Sequence, residues 1–251
     1  MSIPFSAMCD EFYTSTRLFL KLELALERET ILHFFDSIRR EFPTMRKLRR
    51  RDEGDLVLED DAPDEDTRRW IRIEEGALRF GCYNPAHPGD ARLLGERVLE
   101  SAPYHLTLSD LDYDHIEVVY AFDLEYRGNH DQLVAETLYA EHPLTAFLND
   151  ERALHTIDCQ PFLGVSLSDE CETQAYVEIK SRTSTFEVRT GRFEPQPLTV
   201  YFTVRRYWGF GEQDSLVACY RQLCDIADEW CTDRVVPLVV NPLAQAIASR
   251  P

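Results

Sequence analysis

Several things are scarce in this chain, and each scarcity removes a class of function. Positive charge comes first: 27 Lys and Arg stand against 45 Asp and Glu, giving a net charge of -18. A phosphate backbone is bound non-specifically by Lys and Arg that displace its counterions, so nucleic acid is not the expected partner. Long apolar runs are also missing. None approaches the ~18 residues of a membrane helix. The first residues carry no basic stretch leading into an apolar one, so neither a membrane span nor a secretory leader is expected. Glycine is sparse, with 10 among 251 residues, and Gly209-Phe210-Gly211 lacks the third glycine and the lysine of a phosphate loop. The seven cysteines are odd in number and lack zinc-like spacing. Cys219, Cys224 and Cys231 fall on one helical stretch, where a set of disulfides would be geometrically awkward. Reduced thiols and a cytoplasmic location are the expectation.

Catalytic constellations are equally thin. The histidines His33, His87, His105, His115, His130, His142 and His155 are scattered, with no H-E-x-x-H pattern. Asp110-Leu111-Asp112-Tyr113-Asp114 opens like a calcium loop, but His115 stands where glycine is needed and Ala121 where the closing glutamate is needed. No serine sits in a G-x-S-x-G elbow, and nothing ties Cys82, Cys159 or Cys171 to a base. No catalytic residue, metal or cofactor is expected.

What is present is a good record of strands and helices. Hydrophobic residues make up 44% of the chain, enough for one large core or two units of about 100 to 125 residues. Residues 198 to 205 alternate apolar at Leu198, Val200, Phe202 and Val204, the period-two signature of a strand with one buried face. Beyond Asp214, an N-cap candidate, Leu216, Tyr220, Leu223, Ala227 and Trp230 form a helical seam.

In chain order, an arm over 1–16 precedes a strand at 17–25, a helix near 28–42 and strands at 45–51 and 56–59. The polar run 60–67 reads as a loop. Strands at 68–74 and 77–83 then lead to a helix at 88–102. The second half reads as a strand at 115–126, a helix at 130–140 capped by Asn129, and strands near 162–167, 174–181, 184–190 and 198–207, closed by the helix after Asp214. The expected fold class is α+β: two tandem β-α-β4-α repeats, 17–105 and 106–234, with a mainly antiparallel sheet and helices on one face. The join near 103–115 holds no flexible Gly/Ser tract, so the halves are expected to form one cooperative unit. Residues 235–251 are too apolar to sit free and are expected to dock on their own protein, with Asn241-Pro242 starting a short helix.

This element order resembles the repeat of the TATA-binding-protein-like folds, whose relatives include the helix-grip proteins. The resemblance covers about 17 to 232, is one of topology, and implies a continuous saddle-shaped sheet. Shared topology says little about function.

Charge patterning supplies the candidate surfaces. Nine acids fall between 52 and 66 and read as a solvated loop or a contact for a basic partner. Opposite the apolar sets, the strands present Lys21, Lys47, Arg49, Arg51, Arg72, Arg79, Lys180, Arg182, Arg189 and Arg205. They share that side with Glu23, Glu74, Glu117, Asp123, Glu125, Glu178 and Glu187. Cross-strand ion pairing on a solvated face explains such a pattern, and so does a concave anion-binding surface.

Arg49, Arg72, Arg79, Lys180, Arg182, Arg189 and Arg205 are therefore the candidate ligand-binding residues. Tyr207, Trp208 and Phe210 are candidates for partner contact. The expectation is a non-enzymatic binding or assembly protein using a long sheet as platform, with a protein partner or self-association. Two alternatives stand beside it. One is a phosphohydrolase resembling the triphosphate tunnel enzymes, although Lys21-Leu22-Glu23-Leu24-Ala25 departs from their E-x-E-x-K strand and Glu178-Ile179-Lys180 matches only its end. The other is a nucleic-acid-binding saddle resting on Arg205-Arg206-Tyr207-Trp208.

Overall fold

The computed structural model describes residues 5–24, 27–51, 54–61, 66–148, 155–209 and 215–250. Its strands are β1 (Glu11–Leu20), β2 (Met45–Arg50), β3 (Leu56–Asp60), β4 (Arg68–Glu74), β5 (Ala77–Tyr83), β6 (Tyr113–Tyr126), β7 (Phe162–Ser166), β8 (Thr173–Lys180) and β9 (Gln196–Tyr207). They form one sheet in the order β2-β3-β4-β5-β1-β6-β9-β8-β7. Every neighbouring pair is antiparallel. The helices are α1 (Arg28–Arg39), α2 (Pro88–His105), α3 (His130–Leu138), α4 (Thr145–Leu148), α5 (Thr185–Thr190), α6 (Leu216–Trp230) and α7 (Asn241–Ala248). The fold is α+β. None of these helices is long and apolar enough to cross a membrane.

Alternation along the central strands decides where the core lies. Leu18 on β1, Ile71 and Ile73 on β4, Phe80 on β5, Val118 and Phe122 on β6, and Val200 and Phe202 on β9 are all buried. α2 packs on β5 and α6 on β6 and β9, while α1 and α6 each pack against α2. Phe5, from a short 3-10 turn, closes one end of this layer, 5.4 Å from Phe12 and 5.8 Å from Phe122. The opposite side of the central strands carries the charged and aromatic side chains.

The sequence reading of β1 is corrected. The strand begins at Glu11, not 17, so the supposed arm supplies six residues of the central strand. Its inward positions include Thr14 and Thr16, which break the apolar alternation that marks a buried face. Leu22, expected to be inward, lies past the strand and is 69% exposed.

A second correction falls at 184–190, expected as a strand. It is the helix α5, with a reciprocal cap between Ser184 and Glu187 and a left-handed Gly191 (φ 66°) as its stop. The S-x-x-E spacing was readable in the sequence. Among the described residues the second half therefore has three strands after α3, not four, and the expected repeat is not reproduced strand for strand. Asn129 does cap α3, accepting from the Gln132 amide. Ser215 caps α6; Asp214 lies outside the described residues, as does Pro63 of the polar run.

The two sheet edges differ in chemistry. β2 presents Arg46, Lys47, Arg49 and Arg50, a charged edge that discourages further strand pairing. β7 carries no charge and is exposed along its whole length.

Past α6 the chain stays helical through a wide-turned segment, Cys231–Val240, before α7. Pro237 lies inside that segment, and i→i−5 turns accommodate its missing amide. Val235, Val236, Val240 and Leu243 are buried in the core, so the C-terminal segment docks on its own chain, with α7 against α3. Burying each such side chain contributes roughly 1.5–3 kcal/mol. Deletion of 235–251 is expected to cost several of these contributions, which a lower urea midpoint and new binding of a hydrophobic dye would report. A truncated chain that unfolds like the full one would contradict this docking.

Gly81 on β5 marks the closest approach in the sheet. A Cβ there would collide with the Thr14 carbonyl oxygen and stand 2.8 Å from the Trp70 ring. Backbone cannot yield as a side chain can, so Gly81→Ala is expected to destabilise the fold by about 1–3 kcal/mol. Urea unfolding of the variant measures this.

Candidate functional site

The pairing register builds the polar face row by row. One row runs Arg49–Val57–Arg72–Arg79–Arg17–Glu117–Arg205–Gln174–Ser166 across β2, β3, β4, β5, β1, β6, β9, β8 and β7. The next holds Trp70, Gly81 and Ser15, and the one beyond it Arg68, Tyr83, Tyr13 and Tyr201. Because Gly81 has no side chain, the Trp70 indole lies over it.

Over β2–β5 this face forms a concavity of ≈ 720 Å³. Seven basic side chains line it: Lys47, Arg49, Arg51, Arg68, Arg69, Arg72 and Arg79. Four acids join them, Glu11, Glu59, Asp60 and Asp61, together with Val57, Trp70 and Tyr83. Most of the cations are already paired. Glu59 takes Arg49 and, at 3.3 Å, Lys47. Glu11 takes Arg68 at 2.9 Å, and buried Asp60 takes Arg69 at 2.9 Å. Arg72 is bound to Asp55, with Glu74 at 3.3 Å. These pairs hold the guanidinium groups in fixed positions while leaving a cationic excess in the concavity.

The remaining candidates are dispersed. Arg205 donates from Nε to Glu117 at 2.6 Å and from Nη1 to the Tyr207 hydroxyl at 3.0 Å, with the Tyr176 ring 5.4 Å away. Lys180, at the end of β8, lies 4.0 Å from Glu178. Arg182 follows β8 and donates to Thr199 Oγ1 at 3.3 Å. Arg189 leaves the set: it sits on α5, stacked 5.5 Å from Phe186, because its segment is helix and not strand.

Among the proposed partner contacts, Tyr207 remains on the polar side, 5.2 Å from the His115 ring. Trp208 is corrected. It is buried, edge-on to Tyr113 at 5.2 Å, because consecutive residues of extended chain point to opposite faces. Phe210 lies outside the described residues. Sequence reasoning missed Arg17, Arg68, Arg69, Trp70, Tyr83 and Tyr13. Counting back in twos from Phe19 would have found Arg17, Ser15 and Tyr13 on the polar face.

Burial shapes the proton affinities here. Burial, reinforced by the neighbouring Tyr201 hydroxyl 3.2 Å away, pushes the Tyr13 phenol well up, and burial raises Tyr83 too. Burial would also raise Glu117, but His115 and Arg205 outweigh it and hold the carboxyl below its ordinary value. The His115 ring is stacked 4.0 Å from Phe19, with Nδ1 2.6 Å from Asp114 and Nε2 3.7 Å from Glu117. Among the described residues no three metal-ligating side chains gather into a site.

No family model matches this chain, and no curated protein matches it. Among solved structures, the crystal structure of the di-domain ARO/CYC BexL from the BE-7585A biosynthetic pathway is 8% identical. The match covers 95% of this chain and 99% of that one, with a TM-score of 0.19. A likeness at that level carries no argument, and the reading of this face rests on its own geometry.

A carboxyl whose folded-state pKa is depressed contributes stability above its unfolded value of about 4.3 and loses it as pH falls through the folded value. Glu117→Gln should therefore unfold more easily than the parent near pH 6, with the gap in urea midpoint narrowing as pH falls below that unfolded value. A gap that does not change with pH would assign Glu117 no such role.

Proposed function

We propose that this chain is a non-enzymatic binding protein that presents its long sheet as a platform, with the polar face as the contact surface. The observation that carries this reading is the cation-rich concavity over β2–β5, on a chain whose net charge is -18. An acidic protein that gathers seven basic groups in one place, each on a regular strand or at its end, has a local field opposite to its global one. Arginine, tyrosine and tryptophan dominate the surface there, the residue types that anchor protein interfaces. The fitting occupant is a protein presenting an acidic patch.

The open sheet, with edges at β2 and β7, supports a platform over a closed triphosphate tunnel. The carboxylates interspersed in the concavity, together with the overall charge, weigh against a nucleic-acid saddle. Strand order running outward as β1-β5-β4-β3-β2 in one half and β6-β9-β8-β7 in the other supports related halves, the second one strand shorter among the described residues.

The test is a pair of double charge reversals. Arg49→Glu with Arg68→Glu changes the concavity, whereas Arg40→Glu with Arg234→Glu changes exposed positions away from it, one just past α1 and one in the Cys231–Val240 segment. Binding of a cross-linked and identified partner is expected to fall at least tenfold in the first variant and to hold in the second. Equal binding by both variants would remove the platform. Metal-dependent phosphate release from a nucleoside triphosphate, abolished by Glu178→Gln, would replace it with an enzyme.

A further inference from the structure

Within the concavity, one arginine is set apart from the others. The register places Arg72 directly across from Arg79, and Arg79 directly across from Arg17. Side chains so paired have Cβ atoms about 4.5–5.5 Å apart, and like charges at that spacing repel. The outer two are neutralised. Glu74 lies between them, taking Arg17 at 2.6 Å through one oxygen and Arg72 at 3.3 Å through the other, and Asp55 adds to Arg72.

The central Arg79 has no carboxylate within ion-pair distance among the described residues. Its Nε donates to Ser15 Oγ at 3.0 Å, and its guanidinium carbon lies 5.4 Å from the centre of the Trp70 ring. That leaves its two terminal nitrogens as donors. Two more buried donors nearby in the lattice of rows, Trp70 Nε1 and Arg17 Nε, have no hydrogen-bond partner. A fold that crowds three guanidinium groups and leaves the middle one without a counter-charge holds a cation poised for an external anion.

We infer that Arg79 anchors an oxyanion site that takes a phosphate monoester. The inference rests on the reading of this face as the binding surface and names the chemistry it recognises. A fork of two terminal nitrogens suits bidentate contact with a phosphate or carboxylate. A phosphate is favoured over a single carboxylate because the unpartnered Trp70 Nε1 and Arg17 Nε stand near the Arg79 fork, and three phosphate oxygens can accept from more donors than the two of a carboxylate. A polyanion is disfavoured, because Glu11, Glu59, Asp60 and Asp61 line the same concavity and would meet its further charges. The Trp70 and Tyr83 rings offer an apolar wall for the body that carries the phosphate. That body is either a phosphorylated side chain of a partner protein or a free phosphorylated small molecule.

The test titrates the full chain by calorimetry with phenyl phosphate, benzoate and a peptide carrying one phosphotyrosine, at low ionic strength. Phenyl phosphate is expected to bind, with benzoate at least tenfold weaker. Arg79→Lys should lose about tenfold, because an ammonium cannot offer the planar fork, and Arg79→Met should lose measurable binding. Arg46→Met, an exposed change on β2 outside the concavity, should bind as the parent does. A phosphopeptide that binds more tightly than phenyl phosphate supports the site with a partner protein as source; equal affinity supports it with a small molecule as source.

Among the described residues Arg79→Met breaks no ion pair and loses only the Ser15 hydrogen bond and the Trp70 contact, so it is expected to melt within a few degrees (~5 °C) of the parent. A large drop in melting temperature would make Arg79 structural and overturn the proposal. So would undiminished binding of phenyl phosphate by Arg79→Met, equal affinity for benzoate, or tighter binding of a single-stranded oligonucleotide that competes with phenyl phosphate. Absence of phenyl phosphate binding, with a partner still lost on reversal of Arg49 and Arg68, would overturn this inference alone and leave the platform standing.

Discussion

The antiparallel ladder between β1 and β6 is the constraint on which the molecule depends. It runs in register from Glu11 opposite Asp123 to Phe19 opposite His115, and β1 uses its other edge to pair with β5. A strand bonded on both sides has no free backbone groups left, so the two halves are joined through hydrogen bonds that cannot be surrendered to water cheaply. Among the described residues nine strands follow as one sheet, and the largest buried side chains of both halves, Phe12, Phe80, Phe122 and Phe202 among them, share one apolar layer.

Once the long helices cover one side, the chemistry of the other is decided by register. Side chains that are distant in sequence become cross-strand neighbours. Glu117 and Arg205 meet across β6 and β9, and Arg17 meets Arg79 across β1 and β5. The first contact is attractive and the second repulsive, yet both come from the same regular pairing. Local acids compensate most of the repulsion, which lets an acidic protein hold a cationic concavity without expanding it. Trp70 over Gly81 contributes in a different way, since the flat contact lets an aromatic ring lie along the sheet. Charge and shape at this surface are thus products of the strand order.

The sequence by itself determined the α+β class, most strands and the long helices, because their apolar residues recur at periods of two and 3.6 and require no distant partner to be recognised. It also marked Arg49, Arg72 and Arg79 for one face. It did not mark Glu11–Thr16 as strand, because threonine and serine inside a sheet carry no apolar signal and are identified only by what they pair with. It placed 184–190 in a strand because alternation at Phe186 and Val188 outweighed the capping pair of Ser184 and Glu187. Only the tertiary structure decided which arginines share a concavity, that Trp208 belongs to the core, and that Arg79 stands between two neutralised arginines. Those outcomes depend on strand order and register. Both are fixed by hydrogen bonds between segments up to about a hundred residues apart in the chain, and such distant pairing leaves no local trace in the sequence.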